Sequence, residues 1–270
     1  MPHHRVVARL PGALRRAAVD GRVTSTAAAL LLAPLQRFVA PVSLAELAAL
    51  SADGIQADPL VVARKLWALS DGELAKSSLE FDHVWRTVEE RVKVGFTHYP
   101  AAFRADRSVA LLVYVACRRE RPKVVLETGV ADGISSFAIL RALEANGLGT
   151  LHSIDVRGDV GGLVKGDERS RWRLHILPRG RRDALKRAFH EVPRGEVFFH
   201  DSNHSYHWQT SELKAAESWL LPGGLMMADD VDASQAFLHW CREQQRSPQL
   251  CIARSRIFAA TRLSGSGVGE

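Results

Sequence analysis

The sequence predicts an α/β fold, in which a doubly wound, mainly parallel sheet follows a helical N-terminal region and ends in an antiparallel hairpin. Three observations predict it. Strand and helix patterns alternate from Arg121 onward, and repeated βα units build parallel sheets. A glycine-rich turn follows the first of these strands, between Glu127 and Gly133. Two apolar strands near the end of the chain are separated by so few residues that they must run antiparallel.

The composition is that of a folded protein. The 270 residues carry a formal net charge of +6, with 46% hydrophobic and 24% charged residues, which excludes wholesale disorder. Three cysteines without a C-x-x-C pair exclude a disulfide framework, a zinc ribbon and a thioredoxin-type site. We therefore expect a reduced, cytoplasmic protein. The apolar run Ala27–Ala33 is far shorter than the roughly 20 residues that span a membrane, so we expect no membrane segment and no export signal.

A helical pattern occupies the first hundred residues, and we predict an N-terminal helical region over residues 1–105. Ser43 and Glu46 have the spacing of a capping box. A second helix is predicted over residues 59–69, and a third over residues 81–94. No strand is expected here. We expect this region to pack on the main domain or on a second subunit of a homo-oligomer, or to form a lid over a substrate pocket. A mixture of these roles is favoured, and the sequence does not separate them.

The main domain is predicted over residues 106–263, with a Gly/Ser-rich tail at 264–270. Seven strands are expected in it, and Pro222 to Gly224 are expected to form a sharp turn before the fifth. The predicted strands cover residues 123–127, 149–156, 172–177, 196–201, 225–229, 249–254 and 257–262. The predicted helices cover residues 135–145, 181–191, 211–221 and 233–243.

The glycine-rich turn after the first strand is the first candidate for a ligand site, because ligands of such sheets bind at the carboxyl ends of the strands. Gly129 and Gly133 let the backbone approach a ligand and enter the next helix. A dinucleotide fingerprint G-x-G-x-x-G is incomplete, since Ala131 stands where its second glycine would be. Ser135 and Ser136 open the following helix, where their hydroxyls either bind a carboxylate or cap the helix.

Asp155 ends the second strand about 20 residues beyond the glycines, where an acid can bind two ribose hydroxyls or cap the strand end. The chain resembles the class I S-adenosylmethionine-dependent methyltransferases. The resemblance rests on Asp155, on the stretch Glu127 to Gly133 and on the seven-strand order. The resemblance spans residues 121 to about 262 and implies a Rossmann-like fold with S-adenosylmethionine as cofactor. It implies that Glu127 and Gly129 approach the methionine half and Asp155 the ribose. Gly133, Ser135 and Ser136 complete the expected cofactor site.

Three acids follow the fourth and fifth strands. Asp201 ends the fourth strand, and Asp229 and Asp230 end the fifth. Neighbouring strand ends lie about 5 Å apart, so these carboxylates can converge on one point. They repel one another unless a cation lies among them, and oxygen ligands suit Mg²⁺, Mn²⁺ or Ca²⁺. The alternative is that they cap the next helices or pair with arginines.

Three further motifs point to a narrower group within this family. They are Asp201-x-x-His204-x-Tyr206, Pro222-Gly223-Gly224 and the pair Asp229-Asp230. With them, the chain is similar to the metal-dependent O-methyltransferases that include macrolide-sugar O-methyltransferases and cephalosporin-hydroxylase-like proteins. The resemblance implies that Asp201, Asp229 and Asp230 hold a divalent metal, with Mg²⁺ the first choice, and that His204 is the general base. In that branch the first acid of the pair is often Glu, whereas here Asp229 has a shorter side chain.

The resemblance, together with these residues, implies an S-adenosylmethionine-dependent O-methyltransferase that acts on a hydroxyl of a small molecule, such as a sugar or a secondary metabolite. A metal bound to that hydroxyl would lower its pKa, and a neutral histidine can take the proton near pH 7. Two alternatives stay open, namely a nicotinamide-dependent oxidoreductase on the same kind of sheet and a non-catalytic relative that binds cofactor or RNA. Nucleic acid is the less expected partner, because no nucleic-acid motif accompanies the basic charge.

Overall fold

A computed structural model describes residues 41–95, 98–100, 103–254 and 256–264 of the chain. In these residues one eight-stranded sheet has the order β1-β7-β8-β6-β5-β2-β3-β4. The strands are β1 Ile55–Gln56, β2 Val124–Thr128, β3 Thr150–Asp155, β4 Trp172–Ile176, β5 Gly195–His200, β6 Leu220–Ala228, β7 Gln249–Ala253 and β8 Arg256–Arg262. Neighbouring strands run parallel, except that β8 is antiparallel to both β6 and β7.

Helices cover the sheet and precede it. They are α1 Leu44–Ala48, α2 Pro59–Trp67, α3 Asp71–Lys93, α4 Arg107–Glu120, α5 Ile134–Asn146, α6 Arg182–Glu191, α7 Tyr206–Trp219 and α8 Ala236–Glu243, with a short 3₁₀-helix at Gly166–Arg171. Within the described part of the chain, none of the helices has the length and apolar character needed to cross a membrane. Cys117, Cys241 and Cys251 are buried free thiols.

The predicted Rossmann-like, mainly parallel sheet with its C-terminal antiparallel hairpin is confirmed, but the predicted number of seven strands is wrong. The additional strand is β1, where no strand was expected. Ile55 and Gln56 pair in parallel with Leu250 and Cys251 at the open edge of β7. Two residues are too few to show the alternating pattern that identifies a strand, so this pairing left no signal in the sequence.

Three predicted boundaries are also wrong. Helix α3 begins at Asp71, ahead of the predicted start at residue 81. Pro222 to Gly224 lie within β6 rather than forming a turn before it, and the register between β5 and β6 shifts between Gly195 and Val197. An irregularity of this kind lets a proline, which has no N–H to donate, remain in a strand. Helix α7 begins at Tyr206, earlier than the predicted start at Ser211.

Helix α4 was not predicted. Asp106 caps it by accepting a hydrogen bond from Val109 N at 2.9 Å, and every residue from Val109 to Cys117 is buried. An apolar run that is covered on all sides has no amphipathic period, so it does not read as a helix. The same hydrophobic cluster contains Phe81 of α3 and Phe137 of α5. The N-terminal helices and the sheet therefore share one core.

The carboxyl ends of the parallel strands β6, β5, β2, β3 and β4 lie at one edge of the sheet. Backbone hydrogen bonds extend beyond the strands there. Asp201 N donates to Thr128 O at 2.9 Å, and Asp229 N donates to His200 O at 2.9 Å. These bonds continue the pairing of β2 with β5 and of β5 with β6 by one residue. The acids that end β5 and β6 are thereby brought beside the glycine-rich turn after β2.

Candidate active site

Glu127 lies at the end of β2 and is fully buried. Its carboxylate accepts hydrogen bonds from Ser135 Oγ at 2.6 Å, Ser136 Oγ at 2.6 Å and Ser153 Oγ at 2.7 Å. Burial raises the pKa of Glu127, and the three hydroxyls oppose that rise. The structure thus brings three of the predicted cofactor residues into contact with one another. Ser153, which the sequence analysis did not single out, joins them from β3.

The two predicted glycines lie where the protein's own backbone leaves no room for a side chain. Gly129 has φ +84°, and a Cβ there would lie 1.9 Å from the carbonyl oxygen of Asp201. Gly133 has φ +90°, and a Cβ there would lie 2.9 Å from the α-carbon of Gly161. Both residues hold the left-handed conformation that glycine adopts without strain. The glycine-rich turn therefore packs directly on the loops that follow β5 and β3.

Asp155 is half-buried at the carboxyl end of β3. Its carboxylate accepts hydrogen bonds from Val130 N at 2.9 Å and from Arg157 N at 3.0 Å. It thus joins the glycine-rich turn to the loop after β3. An ionised carboxylate offers about four acceptor positions, so two remain for ligand hydroxyls.

Asp132 has a role that the sequence analysis missed. It is buried within the glycine-rich turn and accepts hydrogen bonds from His98 N at 2.6 Å and Tyr99 N at 3.1 Å. Its other oxygen forms an ion pair with Arg104 Nε at 2.8 Å. These bonds fasten the chain that precedes α4 onto the candidate cofactor loop. Because the partners lie about thirty residues upstream, no local spacing indicated the contact.

Asp201, Asp229 and Asp230 lie at the ends of β5 and β6, as predicted. Burial, followed by the charges of Asp229 and Asp230, raises the pKa of Asp201 well above its ordinary value. Burial, followed by the charge of Asp230, raises the pKa of Asp229 to about 8. Asp229 Oδ1 is buried and meets no hydrogen-bond partner among the described residues. Burial and the neighbouring carboxylates thus both disfavour the ionised forms of Asp201 and Asp229.

His204 lies between two of these acids. Its Nε2 is 3.8 Å from Asp201 Oδ1 and 3.9 Å from Asp230 Oδ2, which is ion-pair range but beyond hydrogen-bonding distance. Its ring packs edge-on against that of buried His200, with centroids 5.2 Å apart. Arg256 Nε lies 3.9 Å from Asp230 Oδ2 and brings a positive charge to the same acids from β8.

The acids converge without forming a finished metal centre. Across the described ranges, no group of three or more His, Cys, Asp and Glu side chains stands in an arrangement that could hold a metal ion. The chemistry of the donors nevertheless fits a hard cation, because they are carboxylate oxygens, and the pKa values of Asp201 and Asp229 are raised by burial and then by neighbouring carboxylates. One of these oxygens is also buried without a hydrogen-bond partner among the described residues. Small side-chain rotations would have to accompany binding.

Comparison with known families identifies the domain that holds this site. Residues 126–231 match the model of a family described as "Methyltransferase domain". Residues 126–231 are thus similar to a methyltransferase domain. The match runs from β2 to just beyond Asp230, so it includes the glycine-rich turn, Asp155 and the acid cluster. It favours the methyltransferase over the nicotinamide-dependent oxidoreductase that the sequence left open.

Solved methyltransferase structures share the fold. The O-methyltransferase TomG from Streptomyces achromogenes, in complex with SAM, is 15% identical with a TM-score of 0.53, over 67% of this chain and 89% of that one. The O-methyltransferase from Bacillus cereus, in complex with SAH, is 10% identical with a TM-score of 0.52, over 66% and 90%. The SAH-bound methyltransferase PaMTH1 from Podospora anserina is 14% identical with a TM-score of 0.50, over 68% and 87%.

At identities of 10–15%, these structural similarities show the fold alone, so the role of each residue must be argued from the geometry of this chain. A search of curated protein sequences gives no significant match to this methyltransferase. The region before Leu126 lies outside the family match. It includes His98, Tyr99 and Arg104, which contact Asp132 of the glycine-rich turn. Its contacts with the glycine-rich turn are therefore a feature that the family comparison does not describe.

Proposed function

We propose that this protein is an S-adenosylmethionine-dependent O-methyltransferase that methylates a hydroxyl of a small molecule, with a divalent cation and with His204 as the base. One observation carries the proposal. Within a methyltransferase domain, His204 Nε2 lies 3.8 and 3.9 Å from two carboxylates of an acid cluster that directly adjoins the glycine-rich turn. Cofactor loop, acids and candidate base thus face one another at the same edge of the sheet.

The proposed cofactor site is the edge formed by the ends of β2 and β3. Asp155 would accept hydrogen bonds from the ribose hydroxyls, for which its half-buried carboxylate keeps acceptor capacity. Gly129 and Gly133 would present the backbone of the turn to the methionine half. Glu127, Ser135 and Ser136 would act from behind the turn, because their hydrogen bonds to one another occupy them. When bound, S-adenosylmethionine supplies an electrophilic methyl group.

The proposed metal ligands are Asp201, Asp229 and Asp230. Their charge, and the unpartnered Oδ1 of Asp229, favour a cation over further protein contacts. Mg²⁺ is the first candidate, because it prefers carboxylate oxygen and keeps several waters. When bound, such an ion polarises a ligated hydroxyl and lowers its pKa.

His204 is the proposed general base. In its neutral form, Nε2 can accept the proton of an acceptor hydroxyl that is held beside the acids. The carboxylates of Asp201 and Asp230 then stabilise the imidazolium that forms, because each lies within 4 Å of Nε2. We propose a sugar or secondary-metabolite hydroxyl as the acceptor. TomG, which shares the fold, is involved in tomaymycin synthesis.

Methyl transfer from labelled S-adenosylmethionine to a panel of hydroxylated sugars and secondary metabolites tests the proposal. We expect product with Mg²⁺ and little with EDTA. The variant His204→Ala should lower kcat by about 10²- to 10⁴-fold and lose the ascending limb of the pH–rate profile that the base produces. Full turnover in EDTA would remove the metal from the mechanism. An unchanged pH limb in the variant would remove His204 as the base.

Two further expectations remain proposals. The N-terminal helices would form the interface of a homo-oligomer, and the protein would work in the cytoplasm. Sedimentation of the full chain, with and without S-adenosylmethionine, measures the first.

A further inference from the structure

Glu212 is a buried acid on α7 that neither the sequence analysis nor the proposed mechanism assigns. Its side chain is 1% exposed. It accepts hydrogen bonds from Thr128 Oγ1 at 2.8 Å, Ser202 Oγ at 2.9 Å and Trp208 Nε1 at 2.6 Å. His200 Nδ1 lies 2.5 Å from the same carboxylate. One carboxylate thus joins the ends of two strands, the loop after β5 and the first turn of α7.

The His200 ring is held by this contact. Its Nδ1 lies within hydrogen-bonding distance of the Glu212 carboxylate, and the tautomer of the ring decides which of the two groups donates. His200 is fully buried, and its Nε2 meets no hydrogen-bond partner among the residues that the structure describes. The His200 ring contacts His204 edge-on. Glu212 therefore fixes the orientation of a ring against which the candidate base packs.

The hydrogen-bond partners of Glu212 lie on both sides of Asp201 in the sequence and close to it in the structure. His200 and Ser202 immediately flank Asp201, and Thr128 O accepts the hydrogen bond from Asp201 N at 2.9 Å. Both neighbours of Asp201 and its backbone partner are thus tied to one carboxylate. Few rotations of the loop are compatible with all of these bonds at once.

We propose that Glu212 is the positioning residue of this active site, which holds Asp201 and His204 in working geometry without touching the reacting groups. The inference deepens the proposed function and rests on it for the roles of those two residues. A glutamine at this position keeps the shape but loses the charge, and its amide N–H₂ would face donors. The loop between His200 and Ser205 should then sample other conformations.

The test compares Glu212→Gln with Glu217→Gln. Glu217 lies on the same helix and accepts a hydrogen bond from Trp240 Nε1 at 3.2 Å, so the control also removes the charge from a carboxylate that binds an indole. Hydrogen exchange of the loop 201–205 is measured in both variants. We expect faster exchange of this loop in Glu212→Gln and unchanged exchange in Glu217→Gln. Equal protection of the loop in the two variants would overturn the proposal.

Kinetics provide the second measurement. At a temperature well below both melting points, Glu212→Gln should lower kcat by about 10- to 100-fold, the usual effect of removing a residue that orients a ligand-bearing side chain. The dissociation constant of S-adenosylmethionine should change much less. A loss of thermal stability with wild-type kcat would make Glu212 merely structural and contradict the proposal.

Two safeguards keep these tests decisive. If Glu212→Gln does not fold, Ser202→Ala removes a single donor and should change loop exchange and kcat in the same direction but less. Wild-type exchange rates in Ser202→Ala would then overturn the proposal. If the wild-type protein methylates no acceptor, the proposed function fails, whereas the exchange comparison still decides whether Glu212 holds the loop.

Discussion

Gly129 and Asp201 meet backbone to backbone, so closely that a Cβ on Gly129 would lie 1.9 Å from the Asp201 carbonyl oxygen. The turn expected to hold the cofactor and the loop that begins the acid cluster are therefore in direct contact. The glycine is required here by the fold itself as well as by a ligand. A displacement of either loop must move the other.

Gly129→Ala should disrupt both loops. The left-handed backbone alone costs an alanine about 1–2 kcal/mol, and crowding against rigid backbone adds about 1–3 kcal/mol. Gly147→Ala is the matched control, since Gly147 has φ +72° but nothing within 4 Å of the Cβ position. Urea unfolding of the two variants should show the larger loss for Gly129→Ala. Equal losses of unfolding free energy in the two variants would mean that the left-handed backbone alone, without the contact to Asp201, explains why position 129 requires glycine.

The contacts of Asp132 with His98, Tyr99 and Arg104 should weaken when the ion pair is removed. Among the described residues, Arg104→Ala leaves buried Asp132 with the backbone donors of His98 and Tyr99, and we expect a loss of about 1–3 kcal/mol of stability. Asp132→Asn should cost a similar amount, and the double variant little more than either. A double-mutant cycle of unfolding free energies measures this coupling. Strictly additive effects would show that Arg104 and Asp132 do not stabilise the protein through their ion pair.

Raised pKa values in the acid cluster predict how stability depends on pH. The pKa of Asp229 rises from an ordinary 3.8 to about 8, so the folded protein favours its protonated form. The resulting stabilisation is complete below about pH 4 and is lost as the pH rises towards 8. A divalent cation should offset this loss, because it favours the ionised carboxylates. Mg²⁺ should therefore raise the melting temperature more at pH 8 than at pH 5.

Asp229→Asn isolates this effect from other titrating groups. His152, whose pKa is lowered to about 4 by burial, gives the opposite trend, since its contribution is lost as the pH falls below 6.5. We compare wild type with Asp229→Asn across pH 4–8 in EDTA. As the pH rises, the unfolding free energy of wild type should fall relative to that of Asp229→Asn. A difference that does not vary with pH would contradict the raised pKa.

The sheet was largely predictable from the sequence because its strands carry strong local signals. Buried strands such as β2 and β5 are short apolar runs bounded by glycine or polar residues, and the short connection between β7 and β8 fixes their antiparallel order. The sequence did not indicate α4 or β1. The first is apolar on every face and the second is too short for any period.

The candidate site was predictable only where its residues follow strands. Asp155, Asp201 and Asp229 each come at or directly after a strand end, so topology alone brings them to one edge. Asp132 and Glu212 act through partners that are distant in sequence, and a buried acid on a helix resembles any other helical acid until its donors are known. Long-range hydrogen bonds of this kind leave no spacing to recognise.

The central claim is that the ends of β2 and β3 bind S-adenosylmethionine, and calorimetry of the purified protein tests it without knowledge of the acceptor. We predict one molecule of S-adenosylmethionine bound per chain and no binding of NAD⁺. Asp155→Ala should weaken that binding by about 1–3 kcal/mol, the scale of charged hydrogen bonds to the ribose, while Asp159→Ala, which removes an exposed partner of Arg157, should not. Failure to bind S-adenosylmethionine, or equal affinity in wild type and Asp155→Ala, would contradict the account.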